Sequence, residues 1–174
     1  LPSDWIELRY PIGHPYHAYG FEDLVLDARY VVGDSFMTSD LLVHARPFQW
    51  SNGIWTDQGF ARVEDRGLAG GSGKEMQTNN INLDFDFDRA IQGLALKFGE
   101  YGGNCNIEIN HQFRNFNNFD ELHGQTMGGV QISVANGHGN DMGILRLTGT
   151  VSQFAIGGQE LWIDDLEAAN SVDM

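Results

Sequence analysis

The chain is 174 residues long, with 22 glycines against 4 prolines and 41% hydrophobic residues. That length and composition exclude a disordered chain and suit a single domain with a full core. A formal net charge of −14 argues against nucleic acid or an anionic membrane as partner, because both would repel it, and suits a secreted or cell-surface protein or a binder of cations.

The single cysteine, Cys105, excludes an internal disulfide framework. No apolar run reaches the roughly 20 residues of a membrane span, so membrane insertion is not expected. The chain begins at Leu1 rather than Met, as expected of a processed form or a trimmed piece.

Taken in order, residues 1–19 are aromatic and interrupted by Pro2, Pro11 and Pro15. They read as an extended N-terminal arm or edge segment rather than a central strand. Gly20 to Asp27 is the first expected strand region. Arg29–Val32, Leu41–Arg46 and Phe60–Val63 follow as further strands. Between them, Trp50 and Trp55 flank Asn52-Gly53, and Asn-Gly is a strong hairpin signal. Residues 67–73 (GLAGGSG) form a flexible loop too short to divide two domains.

The second half alternates more cleanly. Ile81, Leu83, Phe85 and Phe87 share one face, as do Leu94, Leu96 and Phe98. Ile107, Ile109 and Phe113 repeat the pattern, with His111 placed among them as a core histidine and Asn106, Glu108, Asn110 and Gln112 opposite. Val130–Val134, Ile144–Val151, Phe154–Ile156 and Leu161–Ile163 complete the series, and only 165–170 hints at a helix. Period-two alternation separated by Gly- and Asn-rich turns predicts half-buried antiparallel strands. The expected fold is an all-β sandwich or jelly roll, one domain over 1–174, with little or no helix.

Two acidic pairs lie near the ends: Glu22-Asp23 and Asp164-Asp165. If the first and last strands pair, these carboxylates meet, and like charges so close call for a cation. Hard oxygen ligands favour Ca²⁺. Glu22, Asp23, Asp164 and Asp165 are therefore the expected metal ligands of a structural calcium ion.

The Gly20-Phe21-Glu22-Asp23 start and the Ile163-Asp164-Asp165-Leu166 finish, with the strand pattern between them, resemble jelly-roll carbohydrate-binding modules of secreted bacterial proteins. The resemblance implies a non-catalytic module whose Ca²⁺ joins the first and last strands and whose partner is a polysaccharide or glycan.

The residues offer a matching ligand face. Asn106, Glu108 and Asn110 on one strand can hydrogen-bond sugar hydroxyls, and Trp50, Trp55 and Tyr101 can supply stacking planes. The competing assignment for each aromatic is the core, where large aromatics mostly reside.

Other motifs are weaker. Asp84, Asp86 and Asp88 have the opening spacing of a helix–loop–helix calcium loop, but Arg89 stands where that loop needs glycine. His14-x-x-His17 is half of a zinc site at most. The Gly70-Gly71-Ser72-Gly73 run lacks nucleophile-elbow spacing, and Gly73-Lys74-Glu75 lacks the Ser or Thr of a phosphate loop.

Glu75, Glu100, Glu108 and Glu160 leave open a strand-borne carboxylate pair, and with it a glycosidase or lyase; with the histidines they also leave open a metal-dependent hydrolase. Ahead of an enzyme stands a second expectation, a surface or filament-forming homo-oligomer whose N-terminal arm completes a neighbour's sheet.

Overall fold

The computed structural model describes residues 16–136 and 141–170. In chain order the strands are β1 (Tyr16–Tyr19), β2 (Arg29–Val31), β3 (Ser35–Thr38), β4 (Leu41–Arg46), β5 (Phe48–Gln49), β6 (Trp55–Thr56), β7 (Phe60–Glu64), β8 (Glu75–Asn79) and β9 (Ile81–Asp86). They continue with β10 (Ile91–Glu100), β11 (Cys105–Ile109), β12 (Gln112–Phe116), β13 (Thr126–Met127), β14 (Val130–Asn136), β15 (Asp141–Val151), β16 (Phe154–Gly158) and β17 (Leu161–Asn170). The one helical turn among the described residues is a short 3-10 segment, Phe119–Leu122.

The strands form an antiparallel β-sandwich. The larger sheet runs β13-β14-β15-β10-β17-β8-β7-β2, with β1 added beside β17. The smaller runs β12-β11-β16-β9-β4-β3, and β5 pairs β6 as a separate hairpin. Leu94, Leu96, Phe98, Leu145 and Ile163 from the larger sheet pack against Leu83, Phe85, Ile107, Phe154 and Ile156 from the smaller in one continuous core. These are the apolar positions that period-two alternation singles out.

The last strand is the seam of the larger sheet. Its first half, Leu161–Ile163, pairs with β8, and its second half, Leu166–Ala169, pairs with β1. The break falls at Asp164-Asp165. Asp165 has a φ of 48°, and the pairing of β17 with β10 slips between Ala95 and Lys97. This is a β-bulge, which re-aims side chains by placing an extra residue in one strand.

Several expectations need correction. Gly20–Asp27 is a run of turns, not a strand. Phe21 and Asp27 have φ of 63° and 68°, outside the range of a regular strand, and the Leu24 N–H closes a turn onto Phe21 O at 3.2 Å. Phe21 and Leu24 still reach the core, three positions apart. Residues 165–170 continue β17 and are not helical.

The third correction concerns parity. Asn110 and His111, with φ of 52° and 66°, form the two-residue turn between β11 and β12. Such a turn resets the alternation. Phe113 therefore pairs with Glu108 on the outer face, and the His111 side chain is 80% exposed rather than buried.

Candidate functional site

The outer face of the smaller sheet carries an open cleft of about 280 Å³. The strand register lines up its floor. Phe113, Glu108, Ala155, Asp84 and His44 are successive cross-strand partners from β12 to β4. A parallel row runs Asn115, Asn106, Gly157, Asn82, Arg46.

That second row carries the hairpin that walls the cleft. Asn106 Oδ1 accepts from the Gln49 N–H at 2.7 Å, and Asn106 Nδ2 donates to Gln49 O at 2.9 Å. Asn115 Nδ2 donates to the same oxygen at 2.9 Å, and Asn82 Nδ2 donates to Pro47 O at 2.9 Å and to Asn106 Oδ1 at 2.9 Å.

Asn82 and Asn106 flank one intervening strand, where the residue between them is Gly157. A Cβ there would overlap Asn82 Oδ1 and Ile81 O. The missing side chain lets the two amides meet across β16.

Anchored in this way, the β5–β6 hairpin closes with Trp50 N–H on Ile54 O and Gly53 N–H on Trp50 O, both at 2.9 Å. Gly53 takes a φ of 89°, which glycine adopts at no steric cost. The hairpin holds Trp55 over the cleft, 52% exposed. Its ring tilts onto Phe113 with centroids 5.1 Å apart. An indole left this open, with an aromatic ring beneath it, is a ready surface for a ligand.

Beside it the Glu108 and Asp84 carboxylates flank Ala155. Arg46 Nε contacts Asp84 Oδ2 at 3.3 Å, and His111 Nδ1 stands 4.0 Å from Glu108 Oε2. A second hollow of about 200 Å³ continues from Arg46, Asp84 and His111 to His44, Asp86 and Ser152.

The sequence-predicted ligand residues are thus divided. Trp55 and Glu108 line the cleft, with the Asn106 amide beneath them already engaged by the hairpin. Trp50 packs edge-on against Phe48 at 5.5 Å, at the hairpin's foot.

Tyr101 belongs to the larger sheet's side, donating its hydroxyl to Leu68 O at 2.7 Å and meeting Trp162 edge-on. Asn110 is fully occupied as a clamp on the sandwich's end: its Nδ2 donates to Gly128 O and Thr150 O, and its Oδ1 accepts from the Ser152 and Gln153 backbone N–H groups and the Ser152 hydroxyl.

Sequence reading missed Arg46, Asp84, Phe113, His111 and Gln153 as cleft residues. Only long-range pairing places them there.

Of the other carboxylates, Glu75 accepts the backbone N–H groups of Arg66, Leu68 and Ala69. Glu100 is buried and accepts from the Gly103 N–H. Both organise loops. His14 and His138 lie outside the described residues, and His17 is exposed on β1.

A second acidic locus sits at the β17 bulge. The loop entering β8 brings Gly71 against Asp164 and Asp165, and Gly73 against Glu22; a Cβ on either glycine would overlap those carboxylates. Asp165 Oδ2 meets Lys97 Nζ at 2.8 Å. Asp164 is 1% exposed, and its Oδ1 accepts from the Asp165 N–H at 2.7 Å. Its Oδ2 is buried with no partner. Burial first, then the Asp165 charge, push the Asp164 carboxyl up to about 8.

Three of the four expected ligands, Glu22, Asp164 and Asp165, therefore gather around the glycine loop. Asp23 turns away, accepting from Ser39 N–H at 2.8 Å and Thr38 Oγ1 at 2.6 Å. Those bonds, the Ser39 N–H first, hold its carboxyl below the usual carboxylate range. Among the described residues no three acid, imidazole or thiol side chains stand as a group that could hold a metal ion by themselves. An ion here would also need backbone oxygens.

Comparison with family models, curated proteins and solved structures finds no match.

Proposed function

We propose that this domain is a non-catalytic, extracellular carbohydrate-binding β-sandwich whose ligand lies in the cleft of the smaller sheet, with a structural Ca²⁺ at the β17 bulge. The observation that carries the first part is Trp55, half exposed on Phe113 beside Glu108, Asp84 and Arg46. A pyranose offers an apolar C–H face and a rim of hydroxyls. An indole plane suits the first, and carboxylate and guanidinium groups suit the second.

The calcium reading is supported by the unpartnered, buried Asp164 oxygen and by the glycines that leave room beside it and Glu22. Glu22, Asp164 and Asp165 would hold the ion. Hard oxygen donors of this kind suit Ca²⁺, which would offset the repulsion between them.

The test is titration of the protein against a panel of soluble polysaccharides, repeated with Trp55→Ala. Binding that the variant loses by tenfold or more, about 1.4 kcal/mol, is the expected result. Binding to no glycan, or release of reducing ends from one, overturns the reading.

A further inference from the structure

The geometry points to a cationic amino sugar as the ligand class of the cleft, an inference that rests on the carbohydrate-binding reading. Glu108 and Asp84 stand on either side of Ala155 in one cross-strand row. Their Cα atoms are therefore two strand spacings apart, about 9.6 Å. The small alanine keeps the floor between them low, so a ligand group can descend between two carboxylates.

Among the described residues, neither carboxylate has both oxygens engaged. Glu108 Oε2 faces His111 Nδ1 at 4.0 Å, too long for a hydrogen bond. Asp84 engages one oxygen with Arg46 at 3.3 Å, leaving the other to a ligand.

The charge balance points the same way. The cleft and its continuation hold the carboxylates of Asp84, Asp86 and Glu108 against the guanidinium of Arg46 and the imidazoles of His44 and His111. The whole chain carries −14. An acidic sugar entering this groove meets net repulsion, whereas a positively charged group is drawn in.

A protonated primary amine brings three N–H donors to these acceptors and no acceptor of its own. Charge-assisted bonds of this type are the stronger ones. With the amine between Glu108 and Asp84, over Ala155, the sugar chain's neighbouring ring reaches Trp55 at Phe113, two strand spacings along the row. The row thus assigns two jobs: Trp55 takes any pyranose, and the Glu108–Asp84 gap selects the amine.

The experiment compares three oligosaccharide probes of equal length by calorimetric titration, at a pH where the amine is charged. They are a β-1,4-linked glucosamine oligomer, its fully N-acetylated counterpart and an oligouronate. The glucosamine oligomer should bind at least about tenfold more tightly than the acetylated one, and the oligouronate more weakly than either.

Glu108→Gln should shrink the preference for the amine, costing the glucosamine oligomer several-fold more affinity than it costs the acetylated one. Raising the salt should shrink the preference in the wild-type protein, a second check that needs no variant. Equal affinity for the two glucosamine forms, or a preference for the acetylated or acidic one, overturns the amine assignment and leaves the carbohydrate reading standing. Binding of none of the three also overturns it, and the wider polysaccharide panel then decides the carbohydrate reading separately.

Discussion

Replacing Asn106 by alanine should destabilise the domain by about 2–4 kcal/mol, because this amide holds the fold before it can serve any ligand. Asn106 is 1% exposed and makes bonds to Gln49 N–H, Gln49 O and Asn82 Nδ2. Two of those groups keep a second partner: Gln49 O retains Asn115 Nδ2, and Asn82 Nδ2 retains Pro47 O.

The Gln49 N–H loses its acceptor. A half-buried donor left unpaired costs about 1–3 kcal/mol, and the two shared bonds add roughly 1 kcal/mol together. For a chain of this size the melting temperature should drop by roughly 5–15 °C. Thermal unfolding followed by far-UV circular dichroism reads the change. Near-UV dichroism should also report a loosened Trp55, since the hairpin hangs from these bonds. A variant melting within about 2 °C of wild type would refute the ladder as the hairpin's anchor and return Asn106 to the candidate ligands.

Gly157→Ala should act on the same ladder from the other side. Its Cβ would overlap Ile81 O and Asn82 Oδ1, for a loss of about 1–3 kcal/mol in chemical denaturation; an unchanged midpoint would mean that β16 shifts to accommodate the methyl. At the bulge, the folded state holds the Asp164 proton up to about pH 8, whereas an unfolded aspartate releases it near 3.9. The folded state therefore binds more protons between those values, and in chelator the melting temperature should fall as pH rises from 5 to 9. Calcium should flatten that slope, and a profile identical with and without calcium would remove Asp164 from any ion site. Asp164→Asn, which keeps an oxygen for the Asp165 N–H, should abolish both the slope and the calcium response. It should melt above the wild type in chelator at pH 9; a lower melting temperature there would show that the charge is not the cost.

The strand periods were legible because each depends only on neighbours in sequence. Leu94, Leu96 and Phe98, like Leu161 and Ile163, are core residues because alternation along a pleated strand admits no other arrangement. Asn52-Gly53 announced its own hairpin for the same local reason. Failures came where backbone handedness changes sign. The positive φ of Phe21 and Asp27 dissolved an expected strand, and Asn110-His111 turned the chain and reversed the faces of everything after it in β12.

The cleft was the least legible. Asp84 reaches Glu108 only through the register of three strands separated by long stretches of chain, with Ala155 and Gly157 contributing by what they lack. Glu22, Asp164 and Asp165 could be grouped from sequence because the first and last strands were expected to pair. That β8 would share the flank of β17, and bring Gly71 and Gly73 with it, was not visible there.

The seam at β17 also has a meaning for how the chain comes off the ribosome. β17 is the last strand of the described chain, yet it lies in the middle of the larger sheet, between β10 and the β1–β8 flank. Until it emerges, β8 and β10 each present an unpaired edge, and β1 waits about 150 residues for its partner. Pairing across such separations is slow and leaves sticky edges open meanwhile. The larger sheet cannot close until β17 has been made. Leu161–Asn170 supplies the pairing for β1, β8 and β10 at once, so a chaperone that shields those edges would act before that strand is in place.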